Sequence, residues 1–227
     1  MSKLILVSVG FDVNLVLKSL LKIGLIDGDV VLLLYSRSGG EYEQRRVEEA
    51  VKTLKTILAG ARAEHYDVAV SGMDFASDVA TILDALRQHR RESIVASLVG
   101  GMRLIIMEAL AALVFYRQFV DSNADISIHV MREDGVYDVT LPLSVLVLPL
   151  LGPREASVLE KLGKELAGRP RSEVVSALSR ETGITESMAY KVLESLEEKK
   201  LIVVRDSAVE LTLLGRLVLS ALRTASG

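Results

Sequence analysis

Residues 3–10 have the sequence Lys-Leu-Ile-Leu-Val-Ser-Val-Gly, an apolar run that ends in a glycine. A helical pattern follows at Val13–Ile23, and the next apolar run is Asp29–Tyr35. Near-continuous apolar strands are typical of a parallel sheet that helices cover on both faces. This stretch therefore predicts a strand–helix–strand unit, the building block of a doubly wound sheet.

The alternation of strands and helices continues as far as Met131. The predicted helices are Tyr42–Leu58, Asp74–Arg90 and Met102–Arg117, and the predicted strands are Glu64–Val70, Ser93–Leu98 and Ile126–Met131. A tight turn at residues 133–135 (Glu-Asp-Gly) then predicts an antiparallel edge strand at Val136–Leu141. The predicted fold class is α/β: a Rossmann-like, mostly parallel sheet with helices on both faces.

The character of the sequence changes at Pro142. Pro142, Pro149 and Pro153 interrupt a stretch that is otherwise apolar, so we expect a packed connector rather than a solvated linker. The predicted domains are a Rossmann-like ligand-sensing domain at residues 1–141, this connector at residues 142–153, and a winged helix-turn-helix domain at residues 154–227.

Residues 154–227 have the element order of a winged helix. The predicted elements are the helices Glu155–Ala167, Arg171–Glu181 and Thr185–Lys199, the strands Leu201–Arg205 and Ala208–Thr212, and the closing helix Leu214–Leu222. Gly183 supplies the turn before the third helix, which we expect to enter a groove of double-stranded DNA. The candidate DNA-binding residues are Arg171, Thr185, Glu186, Ser187, Tyr190, Lys191 and Arg205.

Composition limits the chemistry of both parts. The chain has no cysteine, which excludes disulfides and thiolate sites, and its three histidines are far apart, so we expect no metal site. The formal net charge is −3, and acidic and basic residues nearly balance after residue 153. This balance predicts selective rather than nonspecific DNA binding. No apolar stretch is long enough to span a bilayer, and we expect a cytoplasmic protein with no membrane partner.

Two glycine-containing segments, Ser8–Asp12 and Ser97–Arg103, directly follow predicted strands. Open α/β sheets bind ligands at the carboxyl ends of their parallel strands. Glycine lets the backbone approach a ligand closely, and the helix after the second segment offers free N–H groups to an anion. Neither segment has the motif of a dinucleotide or triphosphate site. Arg37, after the second strand, is a further anion-binding candidate.

These two segments, followed by a predicted winged helix, resemble a family of archaeal CRISPR-associated transcriptional regulators. Members of this family join a CARF (CRISPR-associated Rossmann fold) domain to a winged helix-turn-helix. The resemblance covers essentially the whole chain, and its most telling parts are Val9-Gly10-Phe11 and Gly100-Gly101-Met102-Arg103. The second motif of the family often begins Asp-Leu-Thr, where this chain has Ser97-Leu98-Val99.

The resemblance implies a homodimer that binds cyclic tetra-adenylate, or a related cyclic oligoadenylate, across its two-fold axis. Such a protein would regulate CRISPR-associated genes in antiviral defence, without a cofactor or catalytic residues. The ligand-binding residues that the resemblance implies are Ser8, Gly10, Phe11, Ser97, Gly100, Gly101, Met102 and Arg103, with Arg37 as the further candidate. The apolar stretch Leu104–Tyr116 predicts a buried helix or a subunit interface, and we favour a dimer contact.

Two alternative functions remain open at the level of the sequence. The first is a metal-independent ring nuclease that cleaves the cyclic ligand, with Ser8, Ser97 and Arg103 holding the reacting groups. The second is an interaction module that binds neither the ligand nor DNA.

Overall fold

The chain forms two compact units, Met1–Leu143 and Ser144–Gly227. The computed structural model describes residues 2–132, 134–147 and 149–225, so that Glu133 of the predicted turn and Leu148 of the predicted connector lie outside the described residues. Within the described part of the chain, no helix is both long enough and apolar enough to cross a membrane.

The strands described in the first unit form one sheet. They are β1 (Leu4–Ser8), β2 (Val30–Ser36), β3 (Glu64–Val70), β4 (Ser93–Ser97), β5 (Asp125–Met131) and β6 (Asp138–Pro142). The order across the sheet is β3-β2-β1-β4-β5-β6; β1 to β5 are parallel, and β6 is antiparallel to β5. The structure therefore confirms the predicted Rossmann-like α/β fold. The strand order reverses at β1, which places the switch point of the sheet between β1 and β4.

Helices connect the parallel strands. They are α1 (Val13–Ile23), α2 (Glu41–Gly60), α3 (Phe75–Gln88) and α4 (Arg103–Phe115). A π-helical turn, Tyr116–Val120, extends α4 beyond the predicted end of this helix at Arg117. The carboxylate of Asp12 accepts hydrogen bonds from the backbone N–H groups of Asn14 and Leu15, and this cap fixes the start of α1 close to the end of β1.

The strand β1 is buried along its whole length. Ile5 and Val7 belong to one apolar cluster with residues of α1 and α2. Leu4 and Leu6, which alternate with them, are equally buried on the opposite face of the sheet. Because helices cover both faces, β1 is a fixed support for the loop that follows it.

The strand β6 begins later than the sequence predicts. Val136 and Tyr137, which were predicted as its first residues, are largely exposed. The backbone N–H of Arg132 donates to the Tyr137 carbonyl oxygen, and the Asp134 carboxylate accepts from the Val136 N–H. These bonds close a loop longer than the predicted tight turn, so that pairing with β5 starts at Asp138.

The second unit contains helices and a two-stranded antiparallel sheet. Its elements are α5 (Pro153–Lys161), a π-helical turn (Leu162–Leu166), α6 (Arg171–Thr182), α7 (Glu186–Glu198), β7 (Ile202–Arg205), β8 (Ala208–Leu211) and α8 (Leu213–Ala225). Gly183 ends α6 with a φ of 69°, and the Thr185 side chain caps α7. Apolar side chains of α5, α6, α7 and the two strands form its core.

Candidate functional site

The glycine segments that follow β1 and β4 touch through their backbones. A Cβ atom on Gly10 would lie 2.5 Å from the backbone nitrogen of Gly101, so no side chain fits at this position. Gly101 has a φ of 91°, a left-handed value that favours glycine. The Gly100 N–H donates to Ser8 Oγ at 3.3 Å. Glycine is therefore required on both sides of the contact between the two segments.

Ser8 and Ser97 are the last residues of β1 and β4, and both side chains are completely buried. Ser8 Oγ donates to the Ser97 carbonyl oxygen at 3.4 Å. Ser97 Oγ lies 2.6 Å from Ser19 Oγ on α1. Both serines were predicted to contact the ligand; in the structure the Ser8 hydroxyl joins the ends of β1 and β4, and the Ser97 hydroxyl joins β4 to α1.

The buried hydrogen-bond network continues to the edge of the sheet. Ser19 Oγ lies 2.8 Å from His129 Nδ1, and His129 Nε2 lies 3.2 Å from Asp138 Oδ2 on β6. Hydrogen bonds from Lys22 and His129 hold the pKa of Asp138 below its usual value. The sequence gives no signal for this network, because His129 meets Ser19 only once β5 lies beside β4.

A cavity of about 340 Å³ opens beside the two glycine segments. Its lining residues are Val9, Gly10, Phe11, Ser36, Ser38, Gly39, Glu43, Val47, Gly101, Met102 and Ile105. The volume is at the lower end of the range of small-molecule sites, ~300–1,000 Å³. Among the described residues, no arginine or lysine lines the cavity. Its wall is mainly apolar, with the Glu43 carboxylate as its charged group.

The predicted ligand-binding residues lie at different distances from this cavity. Those that line it are Gly10, Phe11, Gly101 and Met102. Arg103 is exposed at the first position of α4. Arg37 is also exposed, and it lines a neighbouring depression that shares Ser36 and Val47 with this cavity. Gly100 packs against the backbone of Gly10 and Ser8, outside the lining.

The wall that β2 and α2 contribute was not predicted. Its residues are Ser36, Ser38, Gly39, Glu43 and Val47. A signal for this wall is present in the sequence, since residues 36–40 (Ser-Arg-Ser-Gly-Gly) carry glycines directly after a buried strand, like the two predicted segments. The adjacency of β2 and β1 in the sheet brings this third segment to the same cavity.

Phe11 forms a cluster with two side chains of α2. The Phe11 ring is 47% exposed, and Arg46 Cζ lies 4.5 Å from its centroid. The same guanidinium lies 5.8 Å from the centroid of the exposed Tyr42 ring. Both distances are within the range of cation–π contacts. The cluster places a cation next to the cavity without making it part of the lining.

Two buried carboxylates lie on α3 and α4. Burial raises the pKa of Asp78, but hydrogen bonds from Ser71 and from the Gly72 N–H outweigh this effect and hold the pKa below its usual value. Neither carboxylate oxygen of Glu108 has a hydrogen-bond partner among the described residues. Burial, together with the charge of Asp78, raises the pKa of Glu108 to about 7. The helix α4, which begins at the cavity, thus carries a buried carboxyl group, Glu108, with no hydrogen-bond partner among the described residues.

In the second unit, the structure exposes most of the candidate DNA-binding residues. The exposed ones are Thr185, Glu186, Ser187, Tyr190, Lys191 and Arg205. Thr185 Oγ1 accepts from the Met188 N–H, and Glu186 Oε1 accepts from Ser176 Oγ, so these two side chains also serve the fold. Arg171 is only partly exposed.

Arg171 is occupied by contacts within the second unit. Its Nη1 donates to Glu197 Oε2 at 3.4 Å, and its Cζ lies 5.8 Å from the centroid of the Tyr190 ring. Glu194 Oε1 lies 4.0 Å from the same guanidinium. The guanidinium of this candidate DNA-binding residue therefore interacts with two carboxylates of its own unit.

Comparison with protein families gives a match over more than half of the chain. The model of the family described as Csa3 CRISPR-associated Rossmann-like domain matches residues 3–142, which is more than half of the chain. The comparison with curated proteins gives no match.

Two of the matching solved structures are similar to this chain only at a low level. Can2 from Sulfobacillus thermosulfidooxidans, in complex with cyclic tetra-adenylate, is 11% identical with a TM-score of 0.43. That match covers 99% of this chain, which spans only 65% of the Can2 chain. Drosophila ORC bound to GC-rich DNA and Cdc6 is 12% identical with a TM-score of 0.27, and the match covers 97% of this chain and 86% of that chain.

Proposed function

The chain belongs to the family of the Csa3 CRISPR-associated Rossmann-like domain, and on this premise we propose that it is a DNA-binding transcriptional regulator of CRISPR-associated genes that senses a cyclic oligoadenylate. The observation that carries the proposal is the backbone contact between Gly10 and Gly101 beside a cavity. This cavity lies at the switch point of the sheet, where open α/β folds bind their ligands. The two segments in contact are those that carry the resemblance to CARF regulators.

The ligand that suits this site best is cyclic tetra-adenylate. Free N–H groups at the start of α4 and the exposed guanidinium of Arg103 can bind phosphates at the rim of the cavity. The cavity volume of about 340 Å³ suits one drug-sized group, whereas a cyclic tetranucleotide is much larger. The ligand therefore extends out of the cavity, which favours a site that two copies of the chain share.

A homodimer accounts for the exposed apolar surface of α4. Met107 is 57% exposed and Leu104 is 38% exposed in the single chain, and both belong to the apolar stretch for which we favoured a dimer contact. Phe115 and Phe119 are exposed further along the same helix and its π-helical extension. A two-fold axis beside α4 would let the same surface of each copy cover the other.

A winged helix-turn-helix accounts for the order of elements in the second unit. The helix α7 follows a glycine turn, as a recognition helix does, and exposes Ser187 and Lys191. The turn between β7 and β8 contains Asp206 and Ser207, both with positive φ, at the tip of the proposed wing. In a dimer, two copies of α7 would read a pseudo-palindromic site in double-stranded DNA.

A direct test of this function is whether the ligand changes DNA affinity. Fluorescence anisotropy would follow a labelled duplex from the promoter of a CRISPR-associated gene of the same genome, with and without cyclic tetra-adenylate. We expect the Kd to change by roughly 5–150-fold, the usual range of coupling between two sites. Ligand binding with an unchanged DNA Kd, or no DNA binding at all, would contradict the proposed regulator.

We further propose that the chain binds the cyclic ligand without cleaving it. Ser8 and Ser97, two of the three residues that the ring-nuclease alternative requires, are completely buried and hydrogen-bonded below the cavity. Only Arg103 is exposed to a ligand. Incubation with labelled cyclic tetra-adenylate in the absence of metal should leave the ring intact, and linear products would favour the nuclease.

A further inference from the structure

The chemistry of the cavity wall does not suit a phosphate. Apolar side chains of Val9, Phe11, Val47 and Ile105 line it, together with the carboxylate of Glu43. A phosphate inside would lose water and face a negative charge, with no cationic side chain among the described lining residues to compensate. A nucleobase suits this wall, because its faces are apolar and its edge carries hydrogen-bonding groups.

The Glu43 carboxylate is available to such an edge. Glu43 lies in the first turn of α2, where a negatively charged side chain interacts favourably with the helix dipole. It forms no hydrogen bond or ion pair within the described part of the chain. A Cβ atom on Gly40 would lie only 2.6 Å from Glu43 Oε2. Glycine at position 40 therefore leaves room for the Glu43 side chain to fold back over the start of the helix. An ionised carboxylate only accepts hydrogen bonds, so its partner must be a donor.

Phe11 and Arg46 add two further elements of base recognition. The half-exposed Phe11 ring lines the cavity, and stacking on an aromatic face stabilises a bound base. The Arg46 guanidinium, held against this ring, is a cation outside the lining that can meet a phosphate. This arrangement would place the apolar faces of a base inside the cavity and the negatively charged phosphates of the ligand outside it.

We infer that the cavity takes one adenine base, whose exocyclic amino group donates a hydrogen bond to the Glu43 carboxylate and whose face stacks on Phe11. The phosphates remain at the rim, near Arg46. This inference rests on the proposed sensing of a cyclic oligoadenylate and adds the residue that recognises the base. Adenine fits the requirement for a donor, since its N6 amino group is a donor at the base edge.

The test removes the donor from the ligand and the acceptor from the protein. Calorimetry with the full chain would compare cyclic tetra-adenylate with the same ring built from purine riboside, which lacks the amino group. We expect the wild type to bind the adenylate at least about tenfold more tightly, as for one good base-edge contact. Glu43→Met, which has no acceptor of comparable strength, should reduce this preference to less than about threefold, and Glu43→Gln should retain an intermediate preference.

A matched control is available on the same helix. Glu49 is exposed on α2 and does not line the cavity, so Glu49→Met should keep the full preference of the wild type. Equal binding of both ligands by the wild type, or an undiminished preference in Glu43→Met, would overturn the inference while cyclic oligoadenylate sensing stood. If the wild type binds neither ligand, the proposed sensing function itself fails, and the inference fails with it.

Discussion

The cavity edge of the Rossmann-like sheet and the exposed surface of α7 are positioned by different means. At the sheet edge, Gly10 and Gly101 are in backbone contact, above strand ends that are completely buried. On α7, the candidate contacts are surface side chains, and the nearby Arg171 is shared with carboxylates of its own unit. The candidate ligand site thus depends on glycines and on the strand order of the sheet. The proposed DNA-binding surface depends on charges that the second unit also uses in its own ion pairs.

The largest effect should come from breaking the backbone contact. In Gly10→Val, the new side chain would collide with the Gly101 backbone, so we expect more than a 100-fold loss of affinity for cyclic tetra-adenylate. Overpacking of this kind also lowers the free energy of unfolding by about 1–3 kcal/mol. Calorimetry and thermal unfolding measure the two effects. Gly60→Ala is the control, since a Cβ there meets nothing within 4 Å; wild-type affinity in Gly10→Val would contradict the importance of this contact.

The stability of the two units should depend on pH in opposite directions. In the second unit, the group responsible is Glu155. Hydrogen bonds from Lys199 and Ser195 lower the pKa of Glu155 from 4.5 to about 2. Its folded pKa is depressed, so its contribution to stability is present above pH 4.5 and is lost as the pH falls to 2. At pH 7, Glu155→Gln should lower the free energy of unfolding by about 2 kcal/mol, measured by urea unfolding of the full chain.

The first unit should show the opposite sign at Glu108, with a slightly smaller effect. Burial raises the pKa of Glu108 from 4.5 to about 7. Its contribution to stability is therefore complete below pH 4.5 and is lost as the pH rises through 7. Glu108→Gln cannot ionise, so at pH 8 it should raise the free energy of unfolding by about 1–2 kcal/mol, with little change at pH 4.5. Destabilisation at pH 8 would show that Glu108 has a partner in solution.

The smallest effect concerns the charges on α7. Lys191 is exposed near the start of this helix, and its removal in Lys191→Met should weaken DNA binding about fivefold to tenfold. If Lys191 contacts a phosphate, the salt dependence should also fall by about one unit of slope, and Lys191→Arg should restore it. Anisotropy at several salt concentrations measures both. An unchanged slope in Lys191→Met would place this lysine away from the DNA backbone.

Much of the fold could be predicted from the sequence because burial on both faces leaves near-continuous apolar strands such as β1 and β2. The contact between Gly10 and Gly101 could also be anticipated, since glycines after parallel strands meet at one edge of a sheet. The burial of the Ser8 and Ser97 side chains could not be anticipated from the sequence. The Ser8 hydroxyl bonds to β4 and the Ser97 hydroxyl bonds to α1, and both partners lie far away along the chain.

The cavity wall and the ion pairs were missed for the same reason. Glu43 lines the cavity because β2 lies beside β1; the glycines at residues 39 and 40 indicate a turn after a buried strand, but they do not show which strand is its neighbour. The pairing of Arg171 with Glu197 joins residues of different helices, so the sequence does not show that this candidate DNA-binding residue is paired. Local patterns thus predict strands, helices and glycine turns, whereas the chemistry of each side chain is decided by tertiary neighbours.

The measurement that tests the central claim most directly is a calorimetric titration of the full chain with cyclic tetra-adenylate. We expect saturable binding with one ligand per two chains, because a single cavity of about 340 Å³ holds only part of the ring. A titration without saturable heat would contradict the proposal that this sheet edge senses a cyclic oligoadenylate. Binding of one ligand to each chain would contradict the shared two-fold site.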